Sequence, residues 1–329
     1  MPRLTLQLAG VLAAQLVLAL VLSLAGSGNA SFKAKEPLLA FNATAIDGID
    51  VDESGASSVS LTKRDGAWSI PSMADFPADG AKVAGLLTKL GALKKGWPVA
   101  TSSEAAKRFK VSNEAHERRI VLKSSGKQVA EVLFGTAPSF RQVHARAAND
   151  ASVYSIAFAN YDAATRAEDW MKRDLLAVPE DKVASISIGD LTLERKDGKF
   201  TMPGLAEGQK LNETEVARLA GAATHPVFDT VQGKGSEALA KVNEPDIQVS
   251  IKRDDGSSII YKYKKEAAGS AYLFASSAQD YLFRVAEVSI EPIAKAKRTA
   301  LLVEVKSSAD AGAQPAPKAE QPQAAPSGG

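Results

Sequence analysis

Apolar positions recur with period two at Val59 and Leu61, and again at Trp68 and Ile70, with Asp65-Gly66 between the two runs. Asp-Gly tolerates positive φ at both central positions of a type I′ turn, so this stretch predicts a β-hairpin with a two-residue loop. In that register Lys63 faces Trp68 and Leu61 faces Ile70, which puts Val59, Leu61, Trp68 and Ile70 on one core face. The pattern returns at residues 193–203, where Asp197-Gly198 pairs Arg195 with Phe200 and Leu193 with Met202. Trp68 and Phe200 are thereby expected to be equivalent core residues.

After each hairpin the spacing changes to that of a helix. Val83, Leu86, Leu87, Leu90 and Leu93 form one stripe behind Asp79, a residue suited to an N-cap. Val216, Leu219, Ala220 and Ala223 form another behind Asn212, which with Glu215 makes a capping-box pattern. Short helices follow Ser102 or Ser103 and again Ser236. A further hairpin over 118–134 turns at Ser125-Gly126, with Ile120, Leu122, Val129 and Leu133 as its apolar contributors. Its counterpart over 247–263 turns at Asp254-Asp255-Gly256 and aligns Ile247, Val249 and Ile251 with Ile259, Tyr261 and Tyr263. Strands are expected over 46–51, 142–146, 153–158, 183–188 and 281–285, a helical segment over 169–176, and a core role for Trp97.

The landmarks repeat at a spacing of about 129–133 residues, the mark of a duplicated domain. The expected fold class is α+β: an N-terminal transmembrane helix followed by two tandem, internally duplicated domains of antiparallel β-hairpins packed with helices. The domains span 31–177 and 178–306. Residues 1–30 form a membrane anchor, or signal peptide, with its connector, and 307–329, rich in Ala, Pro, Gln and Ser, a disordered tail.

The stretch from Leu4 to Ala25 holds 22 residues without a charge, enough to cross a bilayer core as a helix. A cleaved signal peptide is the competing reading, because small residues follow at Gly28-Asn29-Ala30. Both readings export the remainder.

Composition changes this picture little. Of 329 residues 45% are hydrophobic and 24% charged, with a net charge of +2 and the two signs interleaved, so no nucleic-acid partner is implied. There is no cysteine, which excludes disulfides, a thiol nucleophile and Cys-ligated metal.

Candidate chemistry is sparse. His116, His144 and His225 lie far apart with no metal-ligand spacing, and no cofactor or metal is expected. Ser60-x-x-Lys63 and Ser124-x-x-Lys127 carry a string that some acyl-transfer enzymes place at a helix start, but here they fall on a strand and a turn. Gly233-Lys234-Gly235-Ser236 is expected to lack both the preceding strand and the full spacing of a phosphate loop. The densest cationic set is Arg118, Arg119, Arg141, His144 and Arg146, a candidate surface for an acidic partner. No catalytic residue is nominated.

Gly96-Trp97-Pro98-Val99-Ala100-Thr101-Ser102 with Arg108-Phe109, Glu117-Arg118-Arg119, Phe140-Arg141 with Val143-His144-Ala145-Arg146, and Asp169-Trp170 with Leu175-Leu176 resemble the bacterial envelope proteins grouped as domain-of-unknown-function family 4340. The likeness covers most of residues 38–225. It implies one N-terminal membrane span, an exported α+β region and an accessory role beside ABC-type transporters similar to those of gliding motility; it carries over no catalytic residue. The expectation is therefore a non-enzymatic, membrane-anchored periplasmic accessory or scaffold protein of the inner membrane, associated with an ABC-type transporter or other envelope complex. The alternatives are an exported hydrolase acting on cell-wall or peptide substrates and a soluble periplasmic ligand-binding module.

Overall fold

The computed structural model describes residues 12–18, 20–21 and 36–303. Residues 12–18 and 20–21 are helical, with Leu12, Leu16, Val17, Leu18, Leu20 and Val21 exposed. No helix among the described residues is long and apolar enough to cross a membrane. The rest of the stretch from Leu4 to Ala25, and the tail expected over 307–329, lie outside the described residues.

The fold is mixed α/β, with two antiparallel sheets and few helices. The chain divides into two compact units, one ending at Leu175 and the other starting at Leu176, with the segment Asp229–Lys234 grouping with the first.

The first unit contains β1 (Gly48–Asp52), β2 (Ser58–Arg64), β3 (Ala67–Ile70), β4 (Phe76–Pro77), α1 (Gly80–Ala92), β5 (Pro98–Ala100) and α2 (Ser103–Arg108). The chain continues through β6 (Arg118–Ser124), β7 (Lys127–Phe134), β8 (Gln142–Ala147) and β9 (Val153–Ala157). The strands lie side by side in the order β4-β3-β2-β1-β6-β7-β8-β9-β5.

The Asp-Gly hairpin has the expected register: Lys63 faces Trp68, and Asp65 and Gly66 have φ of 51° and 82°, as a type I′ turn requires. Val59, Leu61, Trp68 and Ile70 are all buried. Asp79 caps α1 by accepting from the amides of Ala81 and Lys82, and the stripe of Val83, Leu86, Leu87, Leu90 and Leu93 is buried, as covering of this sheet face by the helix demands.

On the other face Ala106 and Val111 pack with Leu133 and Val153, with Phe109 at their edge. Here Gly135 is indispensable. A Cβ at this position would meet the carbonyl oxygen of Phe109 at 1.9 Å and that of Lys110 at 2.4 Å, so only glycine lets the loop after α2 approach β7.

The second unit contains β10 (Val183–Ile188), β11 (Leu191–Lys196), β12 (Lys199–Thr201) and α3 (Glu213–Thr224). After β13 (Thr230–Lys234), which belongs to the segment grouped with the first unit, come α4 (Ser236–Ala240), β14 (Ile247–Arg253), β15 (Ser258–Lys265), β16 (Ala271–Ser276), β17 (Tyr281–Ala286) and α5 (Glu291–Ala294). Its strands run β12-β11-β10-β14-β15-β16-β17, the same order as β3-β2-β1-β6-β7-β8-β9. Ile247, Val249 and Ile251 face Tyr263, Tyr261 and Ile259, as the apolar alternation predicts. Asn212 caps α3 through the amide of Glu215, while the Glu215 carboxylate reaches Arg218.

Four expectations are corrected. Val129 is not a core residue: a bulge between Leu122 and Lys123 shifts the pairing to Leu122–Ala130 and Lys123–Gln128, leaving Val129 unpaired and exposed. Trp97 is 74% exposed, because it precedes β5 at the very edge of the sheet instead of plugging the core. Phe200 is only half-buried, with the Arg195 guanidinium 5.7 Å from its ring centre, so it does not match the buried Trp68. The helical segment over 169–176 is two 3-10 turns, Ala167–Trp170 and Arg173–Leu176; Trp170 is fully buried and donates from Nε1 to the Ala164 carbonyl.

Candidate functional site

The five cationic candidates do not converge. Arg118 donates to the Glu53 carboxylate at 2.6 Å and to the Ala163 carbonyl, and Arg119 to Glu131 at 2.7 Å. Neighbouring residues of a strand point to opposite faces, so these two serve separate networks. His144 is buried, stacks on Phe109 at 4.1 Å between ring centres, and places Nδ1 2.8 Å from the Thr136 carbonyl oxygen. Arg146 donates from Nε to the Val111 carbonyl and so ties the loop after α2 to β8. Only Arg141 is left facing solvent and lining a cleft.

The other named candidates are also in structural use. Ser60 donates to Asp50, across the β1–β2 ladder. Ser124 and Lys127 are the pair that flanks the Ser125-Gly126 turn. Gly235, with φ of 84°, caps α4, and its amide is already spent on the Asp280 carbonyl. His116 lies 2.7 Å from Asp52 through Nε2, and Thr224 hydrogen-bonds His225. Among the described residues no group of three or more His, Cys, Asp or Glu side chains is placed to hold a metal ion.

The cleft that takes in Arg141 has a volume of about 750 Å³, within the usual range for ligand sites. It opens between the C-terminal end of α1, the end of β9 and the turn that enters β8. Leu93 and Ile156 form an apolar floor, and Lys89, Lys94, Lys95 and Arg141 stand on its walls. Two of these cations are neutralised. Lys89 reaches Asp162 at 2.6 Å and Lys95 reaches Asp150 at 3.0 Å.

The Lys95–Asp150 pair is set in a small polar cluster. The hydrogen bond to Asp150 raises the Lys95 ammonium above its ordinary range despite partial burial. Burial by itself would raise the Asp150 carboxyl, but the Ser152 amide together with Lys95 and Tyr154 outweighs it and holds the group low. Lys95 is therefore a fixed wall. Lys94 and Arg141 have no ion-pair partner among the described residues, and they come from different elements.

The surroundings are aromatic as well as cationic. Tyr161 lines the cleft and is 71% exposed. Phe140 is 87% exposed, and the Arg141 guanidinium lies 5.1 Å from its ring centre. Arg141 has φ of 56°, a left-handed conformation fixed by the tight Ser139–Gln142 turn.

Sequence reading nominated Arg141 but missed Lys94, Phe140 and Tyr161. The signal for Lys94 was the Lys94-Lys95 pair directly after the apolar stripe of α1. Phe140 and Tyr161 gave none, because a lone aromatic between short strands looks the same whether it is buried or exposed.

An antiparallel two-sheet protein with a cationic, aromatic-edged cleft is the class defined here. A family model described as Domain of unknown function (DUF4340) matches residues 68–301, and the chain belongs to that family. No curated protein and no solved structure matches it.

Proposed function

We propose that this is a non-enzymatic accessory protein of the bacterial envelope, anchored in the inner membrane by the stretch from Leu4 to Ala25, with its two units in the periplasm. On this reading the units arose by duplication, which their common strand order and repeated hairpin sequences support. The role is to hold a partner, an ABC-type transporter subunit or another envelope protein.

The observation that carries the binding role is the cleft, where exposed Tyr161 accompanies the unpaired cations Lys94 and Arg141, with exposed Phe140 against the Arg141 guanidinium. Large aromatics and Arg are the residue types on which binding energy concentrates, and a globular surface that exposes them together suits a contact.

The test is a photo-crosslinking amino acid at position 161 in cells, followed by membrane fractionation and intact-mass measurement. The expected result is an uncleaved protein in the inner-membrane fraction, crosslinked to an integral membrane protein. A cleaved, freely soluble protein with no crosslink would overturn the proposal.

A further inference from the structure

We infer that the cleft of the first unit receives an extended acidic peptide segment of a partner protein, an inference that rests on the cleft being a docking site. Among Lys89, Lys94, Lys95 and Arg141, the first and third are neutralised by Asp162 and Asp150, so the cleft retains the charges of Lys94 and Arg141. These two come from different elements that line the cleft, one just after α1 and the other just before β8. Carboxylates spaced along an extended chain engage both, with complementarity of the kind that sets orientation and capture rate.

The floor argues the same way. Leu93 and Ile156 are almost wholly buried by their own neighbours, so the floor itself presents little apolar surface to a ligand. The large apolar groups Phe140 and Tyr161 are instead exposed, where a passing chain can lie against them. Arg141 is pre-positioned: the Ser139–Gln142 turn fixes its left-handed backbone, which lowers the ordering cost of binding.

The experiment is titration of the full-length protein into a short fluorescein-labelled peptide rich in Glu around a central Leu-Val pair, read by anisotropy. Saturable binding is expected, weakening as salt is added because both cations are exposed. Lys94→Glu combined with Arg141→Glu should weaken it by about tenfold or more. Lys127→Glu, at the β6–β7 turn, should leave it unchanged. Circular dichroism of each variant checks the fold, and Lys94→Gln with Arg141→Gln repeats the test without charge reversal.

Equal binding of the Gln-for-Glu peptide, indifference to the double substitution, or no binding at all would overturn the inference. So would phosphatidylglycerol vesicles that bind through Lys94 and Arg141 and displace the peptide. Crosslinking from position 161 to a membrane protein, persisting while the peptide fails to bind, would sink the acidic-peptide assignment alone and leave the accessory role standing.

Discussion

The hydroxyl of Tyr261 donates a 2.8 Å hydrogen bond to the carbonyl of Leu176, fixing the first residues of the second unit to its central sheet. Two residues along the same strand, Tyr263 is equally buried and stacks on Phe274, but its hydroxyl meets no hydrogen-bond partner among the described residues. Tyr261→Phe is expected to cost about 1–2 kcal/mol by orphaning a buried carbonyl, whereas Tyr263→Phe should be neutral or stabilising. Urea unfolding followed by circular dichroism separates the two. Equal losses would show that the Tyr263 hydroxyl has a partner.

The same pair sets an alkaline limit. Burial pushes the Tyr261 phenol up to about 12 from an ordinary value of 10, and burial raises Tyr263 further. Both hydroxyls stay neutral in the folded state while those of the unfolded chain ionise. Their contribution to stability is complete below about pH 10 and falls as pH rises toward 12. The double Tyr→Phe variant should lose less stability over that window, measured as the unfolding midpoint against pH.

At the acid end Glu131 and Asp150 act in the opposite sense. Burial would raise Glu131, but hydrogen bonds from Arg119 and Gln128 hold it below the usual carboxylate range; Asp150 is held low too. Stability from these groups is present above the ordinary carboxylate pKa and is lost as pH falls through their lowered values. Glu131→Gln should flatten the acid limb of the stability profile and lower the plateau at neutral pH. An unchanged acid limb would refute the assignment.

Gly135→Ala should destabilise by about 3 kcal/mol or more, because backbone oxygens and not a flexible side chain occupy the space of the new methyl group. Gly126→Ala makes a useful contrast. That turn residue has φ of 72° but open space around it, so the cost should be nearer 1 kcal/mol. Thermal unfolding would rank the two, and a reversed order would contradict the close approach of the loop after α2.

Phe200→Ala should cost well under the roughly 3–5 kcal/mol expected for Trp68→Ala, since only Trp68 is buried. Equal losses in chemical denaturation would restore the equivalence that their sequence positions suggest.

Hairpins were the legible part of this chain. Asp65-Gly66, Ser125-Gly126 and Asp254-Asp255-Gly256 each fix a register locally, and apolar alternation then assigns the faces. Val129 escaped because a bulge changes face without changing residue type. Trp97 escaped because the position of β5 at the sheet edge depends on its pairing with β9, a contact distant in sequence. The cleft was illegible for a related reason: Lys94, Arg141 and Tyr161 approach one another only after α1, β8 and β9 have assembled. The cationic set chosen from sequence was dense along the chain, yet four of its five members satisfy nearby carboxylates, carbonyls or rings.

The strand order also dictates a folding schedule. Most ladders join strands adjacent in the chain, but β1 pairs with β6, setting Ile49 against Leu122, and β10 pairs with β14, setting Ile186 against Ile251. Leaving aside the edge strands β5 and β13, each sheet is thus two locally formed halves meeting at a central seam, and α1 or α3 lies within the loop that the seam closes. Closing such loops carries an entropy cost that hairpins avoid, which makes the seam the slow event. While it is open, β1 and β6, like β10 and β14, present bare apolar edges to whatever is nearby. A nascent chain is most prone to mispairing at this stage, exchanging β6 for β14, which hold the same place in the two strand orders.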